Sequence, residues 1–258
     1  MDTTTKMNML PWLIPYYKNI IQQHKKNKSH HAIILKSSQE IGINELIFNI
    51  GKWILCINKK NILYCNTCSS CILMNHNVHP DWYHIFETKN NTDNNIDSIS
   101  NILNNAYKTP QQNINKIFFF SEIEQLNSNR IHLLLKLIEE PPKNTWFFFK
   151  KNNNYQLIDT LISRCISYNL LLPLEQDSLN WLKKKTNVTT TMCQTALKIC
   201  EGSPITAQKL LSTSLWKQRI NLFKQIKLSI KKKIFYPYFL FFLKLIVYKQ
   251  FPGYLLYC

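Results

Sequence analysis

The stretch AIILKSSQEIGINEL, residues 32–46, decides how the rest of the chain is interpreted. Its first four residues are apolar and predict a short buried strand, a polar loop follows, and a helical pattern begins near Ile43. Nucleotide-binding proteins carry the phosphate loop G-x-x-x-x-G-K-[ST] between a strand and a helix in this order. On that template Ser37 takes the place of the first glycine and Gly42 matches the second. Ile43 and Asn44 stand where Lys and Ser/Thr are required.

The rest of the ATPase pattern is also incomplete. Without the lysine and the hydroxyl, no side chain holds the β- and γ-phosphates or Mg²⁺. The apolar run KIFFFS (116–121) predicts the core strand that should end in an adjacent acidic pair. Here Glu122 and Glu124 are split and shifted, which is typical of acidic residues in a surface loop. We therefore predict an ATPase architecture with a degenerate nucleotide site.

The first two-thirds of the chain alternates short apolar runs with helical patterns. This alternation predicts an α/β domain with a mainly parallel, five-stranded sheet. The strand candidates are residues 31–35, 82–86, 116–121, 145–150 and 165–170, and the helix candidates are about 43–55, 96–107, 128–139 and 155–162.

After Leu172 the strand signals stop, and three successive helical patterns follow. Gly202 closes the second helix, and Ser203-Pro204 supplies an N-cap and first-turn pair for the third. We predict an α/β domain over residues 1–171 and a small helical lid over 172–213. The remainder, 214–258, holds two further helical patterns rich in Lys and aromatic residues.

The composition indicates a globular protein, and the net charge alone does not indicate nucleic-acid binding. The chain has 258 residues, 45% hydrophobic and 12% aromatic, which is typical of globular proteins. Its formal charge of +17 invites a nucleic-acid interpretation. However, only three of the 32 basic residues are arginines (Arg130, Arg164 and Arg219), and the chain is rich in Asn, Ile, Phe and Tyr. This pattern indicates drift toward AT-rich codons, so we give the charge little weight.

The sequence carries no pattern for secretion or membrane insertion. The first residues lack a long apolar core and a small-residue cleavage site. The most apolar tract, residues 234–248, is shorter than a spanning helix and is interrupted by Pro237 and Lys244. We therefore expect a cytoplasmic protein without a membrane anchor.

Four cysteines form the pattern C-x8-C-x2-C-x2-C: Cys56, Cys65, Cys68 and Cys71. A reducing compartment favours metal binding over disulfides, and two-residue gaps let neighbouring thiolates converge on one ion. We predict structural Zn²⁺, with a redox switch or an iron–sulfur site as alternatives. The remaining cysteines (Cys165, Cys193, Cys200 and Cys258) have apolar settings typical of small core residues. His76 and His79 lie nearby, but four thiolates already complete the coordination, so we expect each to be a surface or core histidine.

Three stretches in order resemble the AAA+ clamp-loader family of bacterial DNA polymerase III. They are the four-cysteine insertion after the first helix, LLLKLIEEPPKNTWFFF (133–149) and LISRC (161–165). Further similar stretches are PWL (11–13), HHAIIL (30–35), HPDWYHI (79–85) and EGSPITAQKLL (201–211), so the resemblance covers about residues 10–212.

The resemblance implies a non-catalytic subunit that binds no ATP itself. It assigns an arginine finger to Arg164, with Ser163 and Cys165 as motif partners, reaching the ATP of an adjacent subunit. The implied partners are the gamma/tau motor subunits and the delta subunit, and indirectly the beta sliding clamp and primer-template DNA. An arginine suits this role, because its planar, permanently charged fork binds phosphate in a way that lysine does not.

The chain departs from the family in its last 45 residues. Members continue into a helical collar that holds the ring together, whereas residues 214–258 resemble only its first part, and we expect a truncated collar remnant. Two other functions stay open: a divergent AAA+ ATPase, and a zinc-containing nucleic-acid-binding module. The second is disfavoured because the cluster interior, NTCSS, is neutral and small.

Overall fold

The computed structural model describes residues 9–85, 102, 104–112, 115–123, 128–152, 159–212 and 214–231. Parts of two predicted helices (96–101 and 155–158) and the whole tail from residue 232 lie outside these ranges. So does the apolar tract at 234–248.

Five parallel strands form one sheet. The strands are β1 (Ala32–Ser37), β2 (Trp82–Ile85), β3 (Lys116–Phe120), β4 (Thr145–Asn152) and β5 (Ile166–Asn169). Their order across the sheet is β2-β3-β4-β1-β5, and every neighbouring pair is parallel. The predicted five-stranded sheet is therefore confirmed. β4 runs two residues further than predicted, into the Lys and Asn residues that follow its phenylalanines.

Alternating aromatic residues explain why the sheet is buried on both faces. Phe118 and Phe120 of β3 stack on Phe147 and Phe149 of β4, with ring centroids 5.5 and 5.1 Å apart. The residues between them, such as Phe119, point to the opposite face and join a separate core cluster. Helices cover both faces of a parallel sheet, and these strands carry apolar side chains on both faces for the helices to pack against.

The named helices of the sheet domain, among the residues that the structure describes, are α1 (Ile14–Lys25), α2 (Ile43–Leu55), α3 (Ser69–Asn75), α4 (Ser128–Glu139) and α5 (Asp159–Ile162). Residues 104–107 are also helical. The predicted bounds of α2 and α4 are confirmed. The sequence reasoning missed α1 and α3, although Tyr17, Ile20 and Ile21 of α1 are fully buried at helical spacing.

The C-terminal described part is helical: α6 (Glu175–Lys185), α7 (Thr190–Ile199), α8 (Pro204–Ser212) and α9 (Ser214–Lys231). Gly202, at φ +82°, ends the turn after α7 in the left-handed conformation. The Ser203 hydroxyl accepts the amide of Thr206 at 3.3 Å, and Pro204 begins α8. The predicted cap pair is confirmed. No helix among the described residues is long and apolar enough to cross a bilayer.

Candidate functional sites

The loop after β1 is organised by its own hydrogen bonds. The Ser37 hydroxyl donates to the Gln39 carbonyl at 2.9 Å and accepts the Gln39 amide at 3.3 Å. Gly42 then begins α2 at φ +94°, and its carbonyl accepts the Leu46 amide at 3.1 Å. Ser37 and Gly42 are both buried, so the two glycine-equivalent positions lie inside the protein.

Apolar side chains fill the space in front of this loop. A Cβ added at Gly42 would lie 2.4 Å from Leu10 Cδ1, 3.2 Å from Ile205 Cδ1 and 3.3 Å from Leu13 Cδ1. The Trp12 indole donates to the Ile41 carbonyl at 2.9 Å. The loop is thus covered by the segment before α1 and by the first turn of α8.

Ile43 and Asn44 differ in their surroundings. Ile43, at the lysine position of the phosphate-loop template, is 2% exposed and belongs to the main core cluster. Asn44 is exposed to solvent. One position is therefore used for packing, and the other carries an amide in place of a metal-binding hydroxyl.

The end of β3 holds one described carboxylate. The Ser121 amide continues the ladder to the Ile85 carbonyl at 3.1 Å. Glu122 is exposed, Ile123 is buried and Glu124 lies outside the described residues. The buried neighbour indicates that the chain turns back to the core here, with Glu122 on the surface.

Arg164 lies on the surface just before β5. Its Nε donates to Glu139 Oε1 at 2.6 Å, and one terminal nitrogen donates to the Thr160 carbonyl at 2.9 Å. About 39% of its side chain remains exposed. Ser163 is exposed and donates to the Thr160 carbonyl at 3.0 Å, whereas Cys165 is half-buried and burial raises the pKa of its thiol to about 12. Cys165 is thus a protonated, unreactive thiol at neutral pH.

Arg164 and the loop after β1 lie at opposite edges of the sheet. Ile166 pairs with Ile33, and Arg164 lies in the turn just before Ile166, at the amino ends of these two strands. The loop begins after Ser37, at the carboxyl end of β1. The four steps from Ile33 to Ser37 span roughly 13 Å at about 3.3 Å each, and Arg164 lies beyond that span. Arg164 is therefore at the end of the sheet away from this chain's own loop.

The four cysteine sulfurs of residues 56–71 converge. Adjacent Sγ atoms lie 3.6 Å (Cys56–Cys65), 4.0 Å (Cys56–Cys68) and 3.9 Å (Cys65–Cys71) apart, and all four lie within 4.8 Å of one another. Four thiolates about 2.3 Å from one tetrahedral ion would be separated by about 3.8 Å. All four are free thiols, and the spacing is far from the ~2 Å of a disulfide. This group can hold a metal ion.

Backbone amides donate hydrogen bonds to three of these sulfurs. The amides of Cys65, Cys68 and Cys71 donate to the sulfurs of Cys56, Cys65 and Cys68 at 3.3, 3.3 and 3.4 Å. Partial burial opposes ionisation of Cys65, but hydrogen bonds from Thr67 and Cys68 prevail and lower its pKa to about 6. Burial raises the pKa of Cys56 and of Cys71. Of these three thiols, Cys65 therefore ionises most readily.

The two histidines beside the cluster are not part of it. His76 is exposed. His79 is 4% exposed, lies 2.8 Å from the Ser70 hydroxyl and accepts the Asp81 amide at 3.0 Å. Each is accounted for by its local contacts, one at the surface and one in the core.

Sequence reasoning missed the polar residues that support the cluster. Lys52 on α2 is 5% exposed and contacts the side chains of Asn66 and Asn75. Burial lowers the pKa of Lys52, and the four nearby cysteines offset only part of that effect. The sequence offered one signal for this role of Lys52: it is a lysine on the apolar face of α2, four residues before Cys56. The sequence reasoning also missed the contact of Glu139, which it placed only as the last residue of the helix candidate 128–139.

The strand order, the loop after β1 and the helical bundle after β5 define an AAA+ type module. A family model described as "DNA polymerase III, delta subunit" matches residues 15–173. A second, described as "DNA polymerase III subunit delta', AAA+ ATPase lid domain", matches residues 173–212. The chain belongs to the family of DNA polymerase III delta-prime subunits.

Individual relatives agree with this assignment. The chain is 43% identical over 230 residues to "DNA polymerase III subunit delta'" of Buchnera aphidicola subsp. Schizaphis graminum, covering 88% of this chain and 69% of the relative. The Escherichia coli K12 protein of the same name is 26% identical over 224 residues, covering 87% and 67%. A DNA polymerase III gamma subunit-related protein from Thermotoga maritima shares the fold, with a TM-score of 0.52 at 19% identity. That comparison covers 81% of this chain and 62% of the solved one.

Proposed function

We propose that this chain is a non-catalytic clamp-loader subunit acting in DNA replication. It assists ATP-driven loading of the beta sliding clamp on primed DNA, and it places Arg164 in the ATP site of a neighbouring gamma/tau motor subunit. A delta subunit completes the proposed complex. The observation that carries the proposal is the position of Arg164: partly exposed, and at the sheet edge opposite to the chain's own loop.

The loop after β1 supports the non-catalytic part of the proposal. A phosphate cradle needs open space and backbone amides facing a ligand. Here Leu10, Leu13 and Ile205 occupy the space beside Gly42, and Ile43 is in the core. A nucleotide would have to displace these contacts and would still find no lysine.

The chemistry of Arg164 supports the catalytic contribution in trans. Phosphoryl transfer develops charge on the transferred group, and an arginine supplied from a neighbouring subunit stabilises that charge. Nε and one terminal nitrogen already have acceptors, which leaves donors on the other terminal nitrogen. Glu139 and Thr160 would thus hold the guanidinium while its outer side meets the phosphate.

We further propose that Cys56, Cys65, Cys68 and Cys71 bind structural Zn²⁺. The sulfur spacing suits a single tetrahedral ion, and four protein ligands leave no open position for catalysis. A cluster of several irons is larger than one ion and would hold the thiolates further apart. The ion would fasten the end of α2 to α3.

The domain division proposed is a sheet domain over residues 1–171, a lid over 172–213 and a collar segment from 214. The lid contacts the sheet domain at the loop itself, since the Ser203 hydroxyl donates to the Glu40 carbonyl at 2.6 Å. Trp181 of α6 also packs edge-on against Trp12, with ring centroids 5.3 Å apart. These contacts suit a subunit that acts as a rigid member of a ring. Work on a bacterial chromosome would place it in the cytoplasm.

The deciding experiment is DNA- and clamp-stimulated ATP hydrolysis by motor subunits reconstituted with this chain. Arg164→Lys should lower hydrolysis at the adjacent site by about 10³-fold, the low end for arginine fingers. Arg219→Lys is the matched control, because Arg219 lies over the Trp216 ring on α9, away from this turn. Unchanged hydrolysis in an assembled Arg164→Lys complex would refute the finger. Tight binding of ATP by the isolated chain would refute the degenerate site.

A further inference from the structure

Lys52 occupies an unusual position beside the cysteine cluster. Its side chain is almost fully buried on α2, four residues before Cys56. Its Nζ lies 2.6 Å from Asn66 Oδ1, 2.5 Å from Asn75 Oδ1 and 4.4 Å from the centroid of the Tyr64 ring. Asn66 lies within the cysteine loop at φ +63°, and Asn75 ends α3. The ammonium thus joins α2 to both segments that carry the other three cysteines.

A buried ammonium needs a source of negative charge. Lysine is almost never fully buried unless it is paired, since removing its charge from water is costly. Neither of the ion pairs found among the described residues involves Lys52, and its direct contacts are neutral amides and an aromatic face. Asn66 lies between Cys65 and Cys68 in the chain, and Asn75 ends the helix that carries Cys71, so the ammonium is held against the segments that bear these sulfurs. Thiolates that bind a metal on these segments would supply the negative charge.

A four-cysteine site that holds a metal ion has a net negative charge, which the Lys52 ammonium offsets. Four thiolates around a divalent ion carry a net charge of 2−, and three of these four cysteines are buried. Amide donors to sulfur reduce the cost of that charge, and a buried cation reduces it further. Lys52 provides the cation and also holds the loop residue between Cys65 and Cys68.

We propose that Lys52 is the positioning and charge-balancing residue of the four-cysteine metal site, and that it sets the affinity of the site for Zn²⁺. The inference rests on the proposed zinc site. It adds that metal affinity depends on a residue outside the cysteine motif.

The test measures Zn²⁺ affinity of the full chain by competition with a chromophoric chelator. Lys52→Met keeps most of the unbranched stem of the side chain and removes its charge, and it should weaken Zn²⁺ binding by about 10- to 100-fold. Asn75→Ala removes one anchor of the ammonium outside the cysteine loop and should weaken binding by a smaller factor. Lys60→Met, at an exposed lysine of the same insertion, is the matched control and should bind like wild type.

A second readout separates metal tuning from simple packing. Unfolding is measured with and without Zn²⁺ for wild type and Lys52→Met, and Co²⁺ absorption reports whether the four-sulfur geometry is retained. Lys52→Met should lose more stability with Zn²⁺ than without it, by the amount that matches its weaker affinity. Equal losses, or affinities within twofold of wild type, would overturn the role of Lys52. If Lys52→Met does not fold, the same comparison on Asn75→Ala decides. Failure of wild type to bind Zn²⁺ would instead remove the metal site itself.

Discussion

The Nε of Arg164 donates to the Glu139 carboxylate at 2.6 Å, and this pair joins two of the sequence motifs that carry the family resemblance. Glu139 ends α4, and Arg164 stands in the turn between α5 and β5. The carbonyl of Ile138, the residue before Glu139, lies 2.7 Å from Nε2 of His31. The end of α4 is thus fastened to the strand edge, and its carboxylate fixes the direction of the guanidinium.

Glu139→Gln should lower ATP hydrolysis in the reconstituted complex by about 1.4- to fivefold. The estimate follows from the ~0.2–1 kcal/mol that an exposed ion pair contributes, here to holding Arg164 in its direction. The measurement is stimulated hydrolysis at the adjacent site, with Glu140→Gln as the neighbouring control. A Glu139→Gln complex as impaired as Arg164→Lys would contradict a merely orienting role. A complex indistinguishable from wild type would show that Arg164 needs no positioning.

Gly42→Ala should destabilise the fold more than the same change at Gly202. Both glycines have positive φ, +94° and +82°, so both substitutions carry a conformational cost of about 1–2 kcal/mol. At Gly42 the new Cβ would also meet Leu10 Cδ1 at 2.4 Å, which adds about 1–3 kcal/mol of overpacking. At Gly202 it would meet only Leu172 Cδ1, at 3.7 Å. Urea unfolding checks the difference, and equal losses would mean that the covering of the loop by Leu10 is easily displaced.

Removing the metal should lower the thermal stability of the chain. An ion bound only by the folded state stabilises it by about 4 kcal/mol when its concentration is a thousand times its dissociation constant. Scanning calorimetry with and without a chelator measures this effect. Cys68→Ser should abolish most of it, because Cys68 is a proposed ligand of the ion and its sulfur also caps α3. Cys193→Ser, at a buried cysteine of α7, should retain the chelator effect even if its own stability falls.

Acidification should destabilise the chain partly through His24. Burial, and secondarily Lys59, lowers the pKa of His24 to about 4, and its ring lies 3.8 Å from that of Trp146. Between about pH 6.5 and pH 4 the unfolded state binds a proton at this histidine that the folded state does not. Stability therefore falls as the pH decreases through this window, by about 1–3 kcal/mol.

His24→Gln tests this contribution by denaturant unfolding at several pH values. The variant should show a shallower decline of stability below pH 6.5 than wild type. His76→Gln, at an exposed histidine, should follow the wild-type curve. Identical slopes for wild type and His24→Gln would mean that the ring is protonated inside the fold.

Local patterns were sufficient to predict the sheet and the lid. Continuous apolar runs such as KIFFFS and TWFFFK are typical of central strands that are buried on both faces. The bounds of α2 and α4 follow from Gly42 and Pro141, whose backbone preferences act within a few residues. α1 was missed because it precedes the first strand, where the alternation of strands and helices offered no place for it.

The sequence by itself determined the family, the parallel sheet, the four-cysteine group and the incomplete phosphate loop, since each depends on residues close together in the chain. The tertiary structure alone decided what surrounds these features. Leu10 and Ile205 meet beside Gly42 from segments 195 residues apart in the chain, and Glu139 meets Arg164 across 25 residues. Lys52 lies among the cysteines because α2 and α3 pack together. Such contacts depend on the packing of whole elements, which no local spacing records.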